Sequence, residues 1–174
     1  MSTENQSVCA VVVAAGSSRR MGGENKLLLP LCGKPVLAHT LTAFQMCGAV
    51  RDIVLVCREQ DMEVYRTLAA ENGITKLCTL TRGGDTRTES VLAGVSAASE
   101  ACALVAVHDG ARPLVPDEVI TQAVAEAAKT GAAAPVVPVK DSIKRIENGK
   151  IAADVPRDTL AAVQTPQVFR RDML

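Results

Sequence analysis

The chain has 174 residues, 48% of them hydrophobic, and a formal net charge of zero; it is long enough to bury one domain core and too apolar to be disordered. Zero net charge and an aromatic share of 2% leave neither the basic footprint nor the stacking platforms of a nucleic-acid binder. No apolar run reaches membrane-spanning length, so a protein off the membrane, in the cytoplasm, is expected. With no Trp, one Tyr and two Phe, the core has to be aliphatic, which suits a parallel sheet buried on both faces.

The first predicted element is a strand from Val8 to Ala14, opening into the tight loop Ala15-Gly16-Ser17-Ser18. Pro35 is placed to start a helix at its first turn, with Leu37, Leu41 and Phe44 on one face and Gly48 past the end. Asp52 to Cys57 reads as the next strand, followed by a helix to Asn72 with Met62, Tyr65 and Ala69 inward. A third strand, Lys76 to Thr81, leads into Arg82-Gly83-Gly84-Asp85. Thr86 and Glu89 have capping-box spacing, before a helix expected to bury Val91, Leu92 and Val95.

Ala103 to Val107 is the fourth strand, ending at His108-Asp109-Gly110; Pro116-Asp117 opens another helix, and Ala132 to Val139 reads as a fifth strand. Strands alternating with helices of this length predict an α/β fold with a mostly parallel sheet. Residues 140–157 break the rhythm. Asn148-Gly149 between Ile143, Ile146 and Ile151 predicts a β-hairpin arm, inserted before a strand-like run from Ala161 to Gln164. The six cysteines, at 9, 32, 47, 57, 78 and 102, form no C-x-x-C pair; their scatter predicts buried cytosolic thiols and argues against zinc.

Chemistry-bearing residues gather after the predicted strands, where open α/β sheets bind ligands. After the first come Gly16, Arg19, Arg20 and Lys26; after the third, Gly83, Gly84 and Asp85; after the fourth, Asp109, Gly110 and Arg112. The first loop is neither a P-loop, lacking Gly-Lys-Ser/Thr, nor G-x-G-x-x-G, since Ser18 interrupts it. A Gly/Ser loop with three cations in eight residues suits a triphosphate, and a solvated basic loop is the bland alternative. His108 has no partner in the sequence for nucleophilic or metal work and reads as structural.

Ala14-Ala15-Gly16…Arg20-Met21…Lys26 resembles the signature loop of the sugar-nucleotidyltransferases. Four further blocks narrow the likeness: residues 83–91 (GGDTRTESV), 108–113 (HDGARP), 141–144 (DSIK) and 164–169 (QTPQVF). In this order the sequence is similar to the methylerythritol-phosphate cytidylyltransferase family, over nearly its whole length. The resemblance implies a single Rossmann-like three-layer α/β/α domain over 1–174, with 140–157 as a dimerisation arm. It implies a reaction between CTP and a small polyol phosphate, with Mg²⁺ held mainly by the CTP phosphates rather than by protein ligands.

It also implies roles. Ala14, Ala15, Gly16, Gly84 and Asp85 would form the cytosine and ribose pocket, with Gly110 also on the CTP side. Ser90 would read the base, and Arg20 and Lys26 would hold the triphosphate and stabilise the transition state at the α-phosphorus. Asp109 would lie near the ribose and Mg²⁺-bound phosphates, with Arg112 behind it. Ser142 and Arg157 would reach the acceptor phosphate of a neighbouring subunit, and Thr165 the acceptor at home. Arg19 is given no role, since one of two adjacent arginines usually points away. The family usually has Gly at position 18 and Gln at 27, where this chain has Ser18 and Leu27. It also continues beyond the equivalent of Leu174 with a further strand, helices and a lysine, which predicts weak or no activity for residues 1–174 alone. Ribitol-5-phosphate cytidylyltransferase and an inactive nucleotide-binding protein remain alternatives.

Overall fold

The computed structural model describes residues 7–16 and 25–174. In chain order the strands are β1 (Val8–Val13), β2 (Pro30–Leu31), β3 (Lys34–Pro35), β4 (Val50–Cys57), β5 (Leu77–Arg82), β6 (Leu104–Asp109), β7 (Ala132–Ala133), β8 (Val136–Pro138), β9 (Ile143–Glu147), β10 (Lys150–Val155), β11 (Ala161–Val163) and β12 (Gln167–Arg170). The helices are α1 (Val36–Met46), α2 (Met62–Glu71), α3 (Arg87–Ala97) and α4 (Asp117–Thr130).

Alternation along β1 decides the layers, because successive side chains leave a strand on opposite faces. Ala10 and Val12 pack with Leu37, Leu41 and Phe44 of α1, Tyr65 and Leu68 of α2, and Ile120 of α4. Cys9 and Val11 point the other way, into a cluster with Val54, Val56, Val95 and Val107 under α3. A strand buried on both faces needs no polar alternation, which is why β1 reads as a continuous apolar run. The main sheet runs β5-β4-β1-β6-β12-β7. Its β5, β4, β1 and β6 are parallel, while β12 is antiparallel to both β6 and β7. The strand order reverses between β1 and β6, so a crevice opens beyond their carboxyl ends. Registers align those ends, with Val13 opposite both Val56 and Asp109.

Helix α3 lies close enough to the sheet to require a residue without a side chain. A Cβ on Gly94 would come within 2.3 Å of Val11 Cγ1 and 2.7 Å of Val56 Cγ2. The inward stripe of α3 is Ser90, Gly94 and Val95, with Val91 at its edge. Leu92, expected inside, is 49% exposed; it sits two residues from both Ser90 and Gly94, about 200° round the helix from each. Thr86 and Glu89 form the expected capping box.

Three further expectations are corrected. Pro35 is the N-cap of α1 and pairs in β3, so the helix begins at Val36. The strand expected over Ala132 to Val139 is two pieces: β7 joins the main sheet, while β8 pairs with β11. Pro135 lies between them without an N–H for a ladder, and its carbonyl accepts from Gln164 N–H at 2.8 Å. The edge next to β6 is filled by β12, a four-residue strand too short for a periodicity signal. The arm forms as predicted: β9 and β10 pair antiparallel, and Asn148 (φ 50°) and Gly149 (φ 75°) make the left-handed turn between them. All six thiols are free, but Cys32 and Cys78 are exposed rather than buried. Burial pushes Cys9 up to about 12 and Cys57 up to about 11, so neither is a thiolate at neutral pH.

Candidate active site

The loops at the carboxyl ends of β1, β4, β5 and β6 enclose a cleft of about 990 Å³. Ala14, Ala15 and Gly16 form its floor at the end of β1, and Lys26 closes one side. Gly84, Asp85 and Ser90 face it from the β5–α3 turn; Asp109, Gly110 and Arg112 face it from the end of β6. Ten of the residues expected from sequence are thus brought to one place. Ser142, Arg157 and Thr165 do not line it, and Arg20, with Arg19 and Ser18, lies outside the described residues.

Close backbone approach explains the glycines. A Cβ on Gly83 would stand 2.5 Å from Ala15 Cβ and 2.7 Å from Ser90 Oγ; one on Gly84 would stand 2.3 Å from Glu89 Cβ; one on Gly110 would stand 3.1 Å from the Val13 carbonyl. Several amides are already committed. Ala14 N–H donates to Val56 O (2.7 Å), Gly83 N–H to Cys57 O (2.9 Å) and Gly110 N–H to Val13 O (2.9 Å). The amide of Asp85 donates to the Glu89 carboxylate at 2.7 Å. The N–H groups of Ala14, Gly110 and Asp85 are therefore already taken within the protein. Ser90 is 3% exposed, and its hydroxyl donates to Gly84 O at 3.4 Å, a long bond that a better-placed acceptor can replace.

Lys26 is positioned from behind. Asn25 Oδ1 accepts from Leu27 N–H (3.2 Å), and Asn25 Nδ2 donates to the Tyr65 hydroxyl (2.9 Å). Leu27, where the family usually has Gln, is 4% exposed and belongs to the core under α1 and α2. Its side chain anchors the returning loop by burial.

Charge in the cleft is uneven. Among the described residues five cations line it, against Glu59, Asp85 and Asp109, so the local balance favours an anion although the chain is neutral. Arg58, Arg82 and Arg87 were not expected as site residues. The signal was present: Arg58 directly follows the second predicted strand, and Arg87 lies inside the 83–91 block. Arg58 is tied to Asp61 by two hydrogen bonds, at 2.6 and 3.1 Å. Asp109 is held between two guanidiniums: Arg87 Nη2 donates to Oδ1 at 3.1 Å and Arg112 Nε to Oδ2 at 2.9 Å. Burial raises the Asp109 pKa, but the Arg112 hydrogen bond and the Arg87 charge outweigh it, so the carboxyl lies below its usual range and is ionised at neutral pH.

Both Asp109 oxygens are thus engaged, and among the described residues no group of three His, Cys, Asp or Glu could hold a metal ion. Behind Asp109, His108 is fully buried. One ring nitrogen contacts Arg112 O at 3.1 Å and the other the Thr165 hydroxyl at 2.9 Å. Arg112 Nη1 also reaches Gln164 Oε1. On the arm, Arg157 is exposed and donates to Lys140 O at 2.8 Å. No helix among the described residues is long and apolar enough to cross a membrane.

A doubly wound sheet with glycine-lined turns and a cationic cleft at its carboxyl edge is the arrangement in which α/β proteins bind nucleotides and other phosphorylated ligands. Residues 8–174 match the family described as IspD, 2-C-methyl-D-erythritol 4-phosphate cytidylyltransferase. A protein of that name from Dehalococcoides mccartyi is 43% identical over 171 residues, 98% of this chain and 75% of its own length. One from Halalkalibacterium halodurans is 46% identical over 160 residues, 91% of this chain and 70% of its own. The crystal structure of 4-diphosphocytidyl-2C-methyl-D-erythritol synthase from Anaerococcus prevotii superposes with a TM-score of 0.85 at 25% identity, covering 98% of this chain and 74% of that one. The chain belongs to the 2-C-methyl-D-erythritol 4-phosphate cytidylyltransferase family.

Proposed function

We propose that the protein joins CTP to 2-C-methyl-D-erythritol 4-phosphate, giving the diphosphocytidyl alcohol and pyrophosphate, as a step of isoprenoid biosynthesis. The observation that carries this reading is the cleft itself, where cations and glycine-lined turns converge in a chain of this family. A phosphate oxygen of the acceptor attacks the α-phosphorus of CTP. The new P–O bond forms as the bond to the β,γ-diphosphate breaks, and its electron pair leaves with pyrophosphate. The acceptor phosphate is already an anion at neutral pH, so the step needs no strong base.

Catalysis is then placement and charge. Lys26 and Arg20 offset charge on the α-phosphate and the leaving group. Ala14, Ala15, Gly16, Gly84, Asp85 and Gly110 wall the nucleoside, and the Ser90 hydroxyl discriminates the base. Asp109 presents its carboxylate to the ribose side, and Arg112 to the acceptor. Mg²⁺, held mainly by the phosphates of CTP, would offset part of their charge beside Lys26 and Arg20.

The protein works as a homodimer, with Ser142 and Arg157 of each arm at the other subunit's acceptor phosphate and Thr165 serving its own. Ser142 and Arg157 lie away from the cleft of their own chain, and the arm exposes Ile146 (57%) and Ile151 (69%), surface that a partner would cover. Six free thiols suit a reducing cytoplasm. Pyrophosphate release, measured with CTP and either methylerythritol phosphate or ribitol 5-phosphate, tests the assignment. Turnover with the first and little with the second is expected; preference for the second would overturn it.

A further inference from the structure

His108 has no part in the chemistry just proposed, yet it is the one polar side chain buried in β6, a strand otherwise aliphatic up to Val107. A buried imidazole is costly unless both nitrogens are satisfied, and here both are. The Arg112 carbonyl can only accept, so Nε2 carries the proton and donates to it at 3.1 Å. That leaves Nδ1 as an acceptor, and the Thr165 hydroxyl donates to it at 2.9 Å. The ring rests against Phe44 of α1 with centroids 4.8 Å apart, which fixes its plane. Burial lowers its pKa to about 4, so this neutral tautomer persists across the physiological range.

The contacts tie together pieces far apart in sequence. Arg112 N–H donates to Asp109 O at 3.0 Å, so with its carbonyl on His108 the Arg112 backbone is held on both sides. Thr165 is 7% exposed and sits in the segment that leads into β12. Its neighbour Gln164 takes the Arg112 guanidinium. The turn 109–112 and the segment 164–165 are therefore joined twice, once by the imidazole and once by the guanidinium.

We propose that His108 is a positioning residue for the acceptor side of the cleft, its two ring nitrogens setting where Arg112 and Thr165 stand relative to each other. The naming of that side rests on the function proposed above. Three substitutions at His108 separate the two arms of the strut. His108→Gln places an amide that still donates to the Arg112 carbonyl, His108→Asn keeps an acceptor for Thr165, and His108→Leu removes both; Thr165→Val cuts the strut from its other end with little change in shape.

Steady-state pyrophosphate release and calorimetric CTP binding are measured on each. In His108→Leu the acceptor KM rises, or kcat falls, by about ten- to a hundredfold, while the CTP Kd stays within about twofold. Gln and Asn each recover part of the loss. Unchanged acceptor kinetics in His108→Leu overturns the proposal, as does an equal loss of CTP affinity; Thr165→Val, which also removes the acceptor contact proposed above, is judged by the ring shift alone. Ring ¹⁵N shifts give a readout independent of turnover, in a chain with only two histidines. The Nε2–H tautomer is expected, with the Nδ1 shift moving in Thr165→Val; an Nδ1–H tautomer overturns the strut. An unmutated protein that turns over no polyol phosphate fails the function proposed above, while the ring spectra still uphold or overturn the strut.

Discussion

Gly83→Ala puts the largest demand on the smallest change. The added Cβ would meet Ala15 Cβ at 2.5 Å, Ser90 Oγ at 2.7 Å and Val56 Cγ1 at 3.3 Å. Ordinary contact lies near 3.5–4 Å, so one wall has to retreat by about 1 Å. The serine hydroxyl can rotate, but Ala15 Cβ has no rotamer to escape into. Gly83 is tethered by its N–H to Cys57 O at 2.9 Å, and its φ is not positive. The penalty is thus one of space rather than backbone strain. Overpacking of this kind costs about 1–3 kcal/mol, a drop in Tm of about 2–12 °C at this chain length. Because the moving wall is the floor of the cleft proposed to hold the nucleotide, a 1 Å displacement also lowers kcat/KM by about a hundredfold. Calorimetry and pyrophosphate release on the same preparation measure both. Gly48→Ala, where a Cβ meets nothing within 4 Å, is the control and stays close to the unmutated protein. If Gly83→Ala matched that control in Tm and kcat/KM, the account of the glycine turn would be wrong.

Lys26→Ala and Arg20→Ala each lower kcat by about a hundredfold or more; a rise in KM at constant kcat would show that they bind without stabilising the transition state. Ser90→Ala narrows the preference for CTP over UTP by about 1–3 kcal/mol, and equal binding of all four nucleotides by the unmutated protein would refute base reading here. Mixing equal amounts of Arg157→Ala and Lys26→Ala chains restores activity to about a quarter of the unmutated level, because about half of the dimers are mixed and each of those holds one intact site of two; no recovery after verified subunit exchange means the arm does not act in trans. For pH, the folded His108 value of about 4 lies below the ordinary 6.5, so its stability contribution is full above 6.5 and is lost as pH falls towards 4. The loss is up to about 3 kcal/mol. Thermal denaturation between pH 7 and 4 should show this slope, and His108→Leu should flatten it.

The amino-acid sequence by itself determined the class of fold and most of the cleft. Aliphatic runs with glycine at their carboxyl ends place loops on one edge of a sheet, and Lys26, Asp85, Asp109 and Arg112 follow from that placement alone. Thr86 with Glu89, and Asn148 with Gly149, were legible because a cap and a tight turn are local structures whose partners lie within four residues. Leu92 was misplaced because α3 chooses its inward face by how closely Gly94 can approach Val11 and Val56, a contact between distant segments. The break at Pro135 and the insertion of β12 beside β6 are likewise pairings across sequence, set by which edge is open rather than by the hydrophobicity of four residues. Only the tertiary structure decided that Arg87 and Arg112 share one carboxylate, and that His108 spans from Arg112 to Thr165. Those bonds join residues up to 57 apart, and a hydrogen bond depends on two atoms meeting within about 3 Å, a condition that no local pattern encodes.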